Sequence, residues 1–122
     1  MLDPRITLAG LWTALMLTYL LGDVLRIFAG DFEAGKLARG VAATQVMWLV
    51  IAVIMLIPIA MIVLTLTVDP AATRWLTLIA AVFLVVFNLA SLPYKGAYDN
   101  FLIIVAVVFN AIIVWTAWNW AV

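Results

Sequence analysis

Asp23 and Arg26 stand three residues apart in a stretch that is otherwise almost wholly apolar, from Ile6 to Phe28. On a helix that spacing lets a carboxylate and a guanidinium pair along one face. Tyr19 lies one turn before Asp23, and Trp12 and Met16 continue the line at spacings of three and four. Farther on, Thr44 and Gln45 open a second apolar stretch, Asn88 and Ser91 close a third, and Asn110 sits inside a fourth that Asn100 introduces. Such groups do two things in a membrane. An ionisable pair beside amides and a phenol holds a small polar ligand or ion. The same groups also bind helix to helix, at about 0.6 to 2 kcal/mol per hydrogen bond. The candidate ligand-binding set is Tyr19, Asp23, Arg26, Gln45, Asn88 and Asn110.

Much other chemistry is excluded. Without cysteine there is no disulfide exchange, and without histidine there is no His-ligated haem and none of the usual zinc sites. No Ser stands beside a buried Lys, and no lysine falls inside an apolar span, so an activated nucleophile and a retinal-type Schiff base are both ruled out. Only Asp23 among the six carboxylates falls within a span on this reading, which leaves paired-acid catalysis without a second member. No Gly-rich phosphate loop is present. The expectation is a protein that is not an enzyme, with no catalytic residue, no metal site and no cofactor. Six basic residues balance six acidic ones with no basic patch, which excludes a nucleic-acid partner.

The elements that position these residues follow from composition. Of 122 residues, 70% are hydrophobic and 10% charged, too few polar groups to clothe a small globule in water. The apolar side chains must face lipid, and the bilayer is the expected partner. A hydrocarbon core of about 30 Å needs about 20 helical residues. Four segments supply them, at about 6–28, 41–68, 75–92 and 101–122, separated by polar breaks at 29–40, 69–74 and 93–100. The first reads as a retained helix rather than a signal peptide, because Met1 to Arg5 is not distinctly basic. The fold class is all-α: one membrane-spanning four-helix bundle, up-down-up-down, with a packing kink at Pro58 in its long second helix.

Four crossings put both chain ends and the 69–74 break on one face, side A, and the other two breaks on side B. Trp12, Trp75, Trp115, Trp118 and Trp120 then form an aromatic belt at side A, and Trp48, Tyr94, Tyr98 and Phe101 one at side B. Arg26, Lys36, Arg39 and Lys95 at side B outnumber Arg5 and Arg74 at side A, which places side B in the cytoplasm. The candidate residues gather in the side B half and leave the side A half greasy, with mainly threonines and Asn119. Two readings of Asp23 and Arg26 stay open: an interfacial anchor for the helix end, or the heart of a pocket. Asp31 and Glu33 are read as solvated.

The run Leu11-Trp12, Met16-Leu17, Tyr19-Leu20, Asp23-Val24, then Ile57-Pro58-Ile59-Ala60-Met61, Arg74-Trp75 and the closing Trp115-x-x-Trp118, resembles a family of small four-helix bacterial membrane proteins with no assigned activity. The likeness spans nearly the whole chain and implies the fold and a bacterial inner membrane, without site residues. Two other small four-helix families differ. Small multidrug exporters carry a glutamate in their first span, and no span here has one. Fluoride channels have a Thr- and Phe-rich break in the third helix, unlike Ala80 to Asn88. The expected function is a transporter-like, channel-like or small-ligand-binding bundle whose polar pocket opens beside the 29–40 and 93–100 loops, working as a homo-oligomer, with a dimer favoured. The alternative is a non-catalytic assembly or accessory subunit.

Overall fold

The computed structural model describes residues 3–31, 44–92 and 96–121. They form four helices: α1 (Pro4–Phe28), α2 (Gln45–Thr67), α3 (Pro70–Ala90) and α4 (Ala97–Trp118). All four are long and apolar enough to cross a membrane. Each of the first three begins on a cap. The Asp3 carboxylate accepts from the Arg5 N–H ahead of Pro4, the Asp69 carboxylate from the Ala72 N–H ahead of Pro70, and the Thr44 hydroxyl from the Met47 N–H.

Those caps move two boundaries from where hydropathy puts them. The third helix begins at Pro70 rather than Trp75, so the expected break over 69–74 shrinks to Val68 and Asp69. The fourth begins at Ala97 rather than Phe101 and ends at Trp118. Apolar content marks where lipid begins, whereas a helix begins at its cap. The expected start of the second span at Val41 lies outside the described residues.

Three arginines fix the topology. Arg5 Nη2 donates to the Val68 carbonyl at 3.0 Å, which ties the start of α1 to the end of α2. Arg74 Nε and Nη2 donate to the Ala117 and Trp118 carbonyls at 2.9 and 3.0 Å, which ties the start of α3 to the end of α4. Its guanidinium also sits over the Trp75 and Trp118 rings, 5.2 and 5.4 Å from their centroids. Arg26 meets Asp99 and ties the end of α1 to the start of α4. These contacts give an up-down-up-down bundle. The fourth seam, between α2 and α3, is much the thinnest.

The core is one cluster of Leu8, Trp12, Leu15, Met61, Ala81, Leu84, Ala106 and Ile113. Ala81 and Ala106 are fully buried, and their small side chains let the helix backbones approach closely. Trp12 belongs here and not to the side A belt. Its ring is completely buried, while Trp75, Trp115 and Trp118 are exposed as a belt requires. Its place on the inward line of α1, with Leu8 and Leu15 a turn either side, overrides the tryptophan preference for the interface.

Pro58 is buried inside α2, and the helix runs unbroken across it. Before Pro58 its inward face, at Ile51 and Met55, is only half-buried; beyond it, Met61 and Thr65 are buried. The proline cannot donate to the Ile54 carbonyl, and neighbouring helices tolerate that loss. Pro58→Ala is therefore expected to keep helicity and fold, with a stability change under about 1 kcal/mol. Thermal unfolding followed by circular dichroism in detergent measures it.

The absence of native cysteine makes the topology simple to check. Cysteines placed at Ala29 and Ser91 are expected to react alike with an impermeant thiol reagent in sealed vesicles, and one at Asp69 oppositely. Identical labelling at all three would refute four crossings.

Candidate functional site

The side B end of the bundle holds a chain of charges. Arg26 Nε lies 3.0 Å from Asp99 Oδ2 and 3.2 Å from Asp99 Oδ1, and Arg26 Nη1 lies 3.2 Å from Asp23 Oδ1. Exposure falls steeply along the chain, with the side chains of Asp23, Arg26 and Asp99 51%, 18% and 4% exposed. Asp99 sits in the first turn of α4, where the helix dipole favours a carboxylate. Just beyond α1 the chain turns through Gly30, whose φ of 74° suits a residue without a side chain. The turn brings Asp31 to Tyr98, whose hydroxyl donates to Asp31 Oδ2 at 2.6 Å. Asp31 is thus engaged rather than simply solvated; Glu33 lies outside the described residues.

The Asp23 side chain is half-exposed. It follows Arg5 by five full helical turns at 3.6 residues per turn, so the two share one line along α1. At one end of that line Arg5 reaches the end of α2, and before Pro58 the inward face of α2, at Ile51 and Met55, is only half-buried. The carboxylate is the outermost member of the network.

Deeper in, Asn88 Nδ2 donates to the Tyr19 hydroxyl oxygen at 2.7 Å, joining α3 to α1. The Asn110 amide, from α4, lies beside that hydroxyl. Asn110 Nδ2 donates back to the Ala106 carbonyl at 3.1 Å. Asn88 and Asn110 are both buried.

Of the six expected residues, five therefore fall into two adjoining groups: Asp23 with Arg26, and Tyr19 with Asn88 and Asn110. Gln45 does not join them. It is the first residue of α2 and exposed, where the thin α2–α3 seam leaves it outside the bundle. The residue that sequence reasoning missed is Asp99. Assigning it to a loop left Asp23 as the only carboxylate within a span, and the structure corrects this. The signal was there: Asp99, Ile103, Ala106, Asn110, Ile113 and Ala117 recur at alternating spacings of four and three, and all are buried. The second carboxylate does not restore paired-acid chemistry, because both acids grip one guanidinium rather than flank an open centre.

Comparison of the chain with protein-family models, with curated proteins and with solved structures finds no match.

Proposed function

We propose that this protein is a small-ligand-binding bundle of the transporter-like kind, with a polar pocket entered from side B. One observation carries the reading: the charge chain runs from a nearly buried Asp99 through Arg26 to a half-exposed carboxylate, Asp23. A purely structural pair has no need of the outer acid, since Asp99 already meets Arg26 with both oxygens. The group presented outward is an anion beside lipid, which selects a cationic head on an apolar body. The reading includes no catalytic step and no cofactor, and places the chain in a bacterial inner membrane as a two-fold dimer.

The test compares dodecylammonium with an uncharged dodecyl maltoside as ligands of the purified protein. The cation is expected to raise the unfolding temperature, and Asp23→Asn to weaken its binding about tenfold, the value of roughly 1.4 kcal/mol. Equal effects of both amphiphiles, or an unchanged affinity in Asp23→Asn, would count against the pocket.

The assembly reading has its own support. Arg26–Asp99, Tyr19–Asn88 and Tyr98–Asp31 pair groups from different parts of the chain, as structural glue does. A discrete complex with another membrane protein, together with no response to either amphiphile, would favour it.

A further inference from the structure

Arg74 has donors to spare after it has tied α3 to α4. Its Nε and Nη2 are taken up by the Ala117 and Trp118 carbonyls. Nη1 has no hydrogen-bond partner among the described residues, yet it is not one of the buried polar atoms that lack one, so it stays accessible. Nor does any carboxylate neutralise the group, since both ion pairs among the described residues belong to Arg26. Asp69, the nearest acid in sequence, is engaged in the cap of α3.

Two indoles share this corner. The Trp75 and Trp118 ring centroids lie 5.2 and 5.4 Å from the guanidinium carbon. Both side chains are exposed, and neither indole N–H donates to another group of the chain. An indole N–H and a guanidinium only donate. The corner thus offers three free kinds of N–H, one full positive charge and no side-chain acceptor. An anion with several acceptor oxygens completes such a set, and the planar guanidinium suits phosphate in particular.

Depth and surroundings narrow the choice. Trp118 is the last residue of α4, and Arg74 stands four residues, about 6 Å, inside the start of α3. That is the headgroup level, where tryptophan settles. From each ring an exposed apolar line leads toward the midplane. Ile79 and Val82 follow Trp75 at spacings of four and three, and Trp115 and Val108 precede Trp118 at spacings of three and seven. Both lines begin at the one guanidinium, because both rings approach it. Hydrocarbon chains therefore have a surface directly below the cation, which a free anion in water would leave unused.

We propose that Arg74, Trp75 and Trp118 form a headgroup site for an anionic phospholipid, with its phosphodiester on Nη1 and the indole N–H groups. Its acyl chains follow the two apolar lines. The lipid is anionic rather than zwitterionic, because no carboxylate meets the guanidinium that could receive a choline or ethanolamine cation as well. The carbonyls of α4 already hold the guanidinium in place, so binding orders little that is free beforehand. The site lies at the opposite end of the bundle from Asp23, Arg26 and Asp99, and it stands independently of the ligand reading made there.

Native mass spectrometry from non-ionic detergent, with equimolar phosphatidylglycerol and phosphatidylcholine of identical acyl chains, tests this. The unmodified protein is expected to retain phosphatidylglycerol in preference. Arg74→Gln is expected to lower that preference about tenfold, as the loss of a charge-assisted hydrogen bond implies. That variant also loses the tie to α4, so a second one, Trp75→Leu with Trp118→Leu, accompanies it. Both rings are exposed, so the fold is expected to persist while the preference falls several-fold. Excess inorganic phosphate is expected not to displace the lipid. Equal retention of the two lipids by the unmodified protein would overturn the site. So would a preference unchanged in either variant, or displacement of the lipid by inorganic phosphate.

Discussion

Asp99→Asn is expected to destabilise the protein by about 3–5 kcal/mol, the cost of removing one partner from a buried ion pair. Arg26 is 18% exposed, and the variant leaves its guanidinium with a neutral amide in place of a carboxylate that met it with both oxygens. Asp23 compensates only weakly, because its 51% exposed carboxylate is screened by the interface and engages a different nitrogen, Nη1. Asp23→Asn alone should therefore cost under about 1 kcal/mol. The double change Arg26→Gln with Asp99→Asn should recover much of the loss, since it strands no charge. Thermal or denaturant unfolding of the four forms in one detergent gives the cycle. Additivity within about 0.5 kcal/mol would show that the two groups are hydrated independently.

Trp12→Ala is the second large effect, expected near 3 kcal/mol. This is the low end of the range for such truncations in soluble cores. The low end applies because the unfolded helix sits in hydrocarbon, so little transfer energy is lost and the cavity itself dominates. Trp12 is completely buried and touches the central cluster to which all four helices contribute. By contrast Trp115→Ala, at a side chain 70% exposed, is expected to shift stability by under about 0.5 kcal/mol. Unfolding curves of both variants give the ratio. Comparable losses would mean that the belt, and not the core, holds the bundle.

The four helices were legible because composition and length alone demand them. Helical spacing put Trp12, Tyr19 and Arg26 on one line of α1, and Trp12 is buried there, but Asp23 of the same line is half-exposed and the buried Leu8 and Leu15 went unnamed. Tyr19 was listed in one candidate set with Asn88 and Asn110, and its hydroxyl accepts from Asn88. Errors clustered at helix ends, where hydropathy is silent about caps. Asp69-Pro70 was read as a break although it starts a helix. Placing Asp99 in a loop concealed the principal partner of Arg26. Gln45 was included because polar residues at one depth were assumed to share one interior, but depth says nothing of which way a helix leans. Trp12 illustrates a further limit, since a tryptophan near a helix end suits both an aromatic belt and a core, and only packing decides.

The three arginine contacts also bear on the order in which the bundle is made. Arg5 and Arg74 cap the helices that directly follow their own, across 63 and 43 residues, and the pairing of Arg26 with Asp99 is the longest of the three, joining residues 73 apart. At about 5–20 residues per second of synthesis, Asp99 emerges roughly 4–15 s after Arg26. During that interval a guanidinium already entering the bilayer has no access to its eventual partner. Asp23, on the preceding turn of the same helix, is available from the outset. In the finished bundle the guanidinium keeps both acids, Asp23 at Nη1 and Asp99 at Nε, so the carboxylate that is first to hand is retained once the last helix docks.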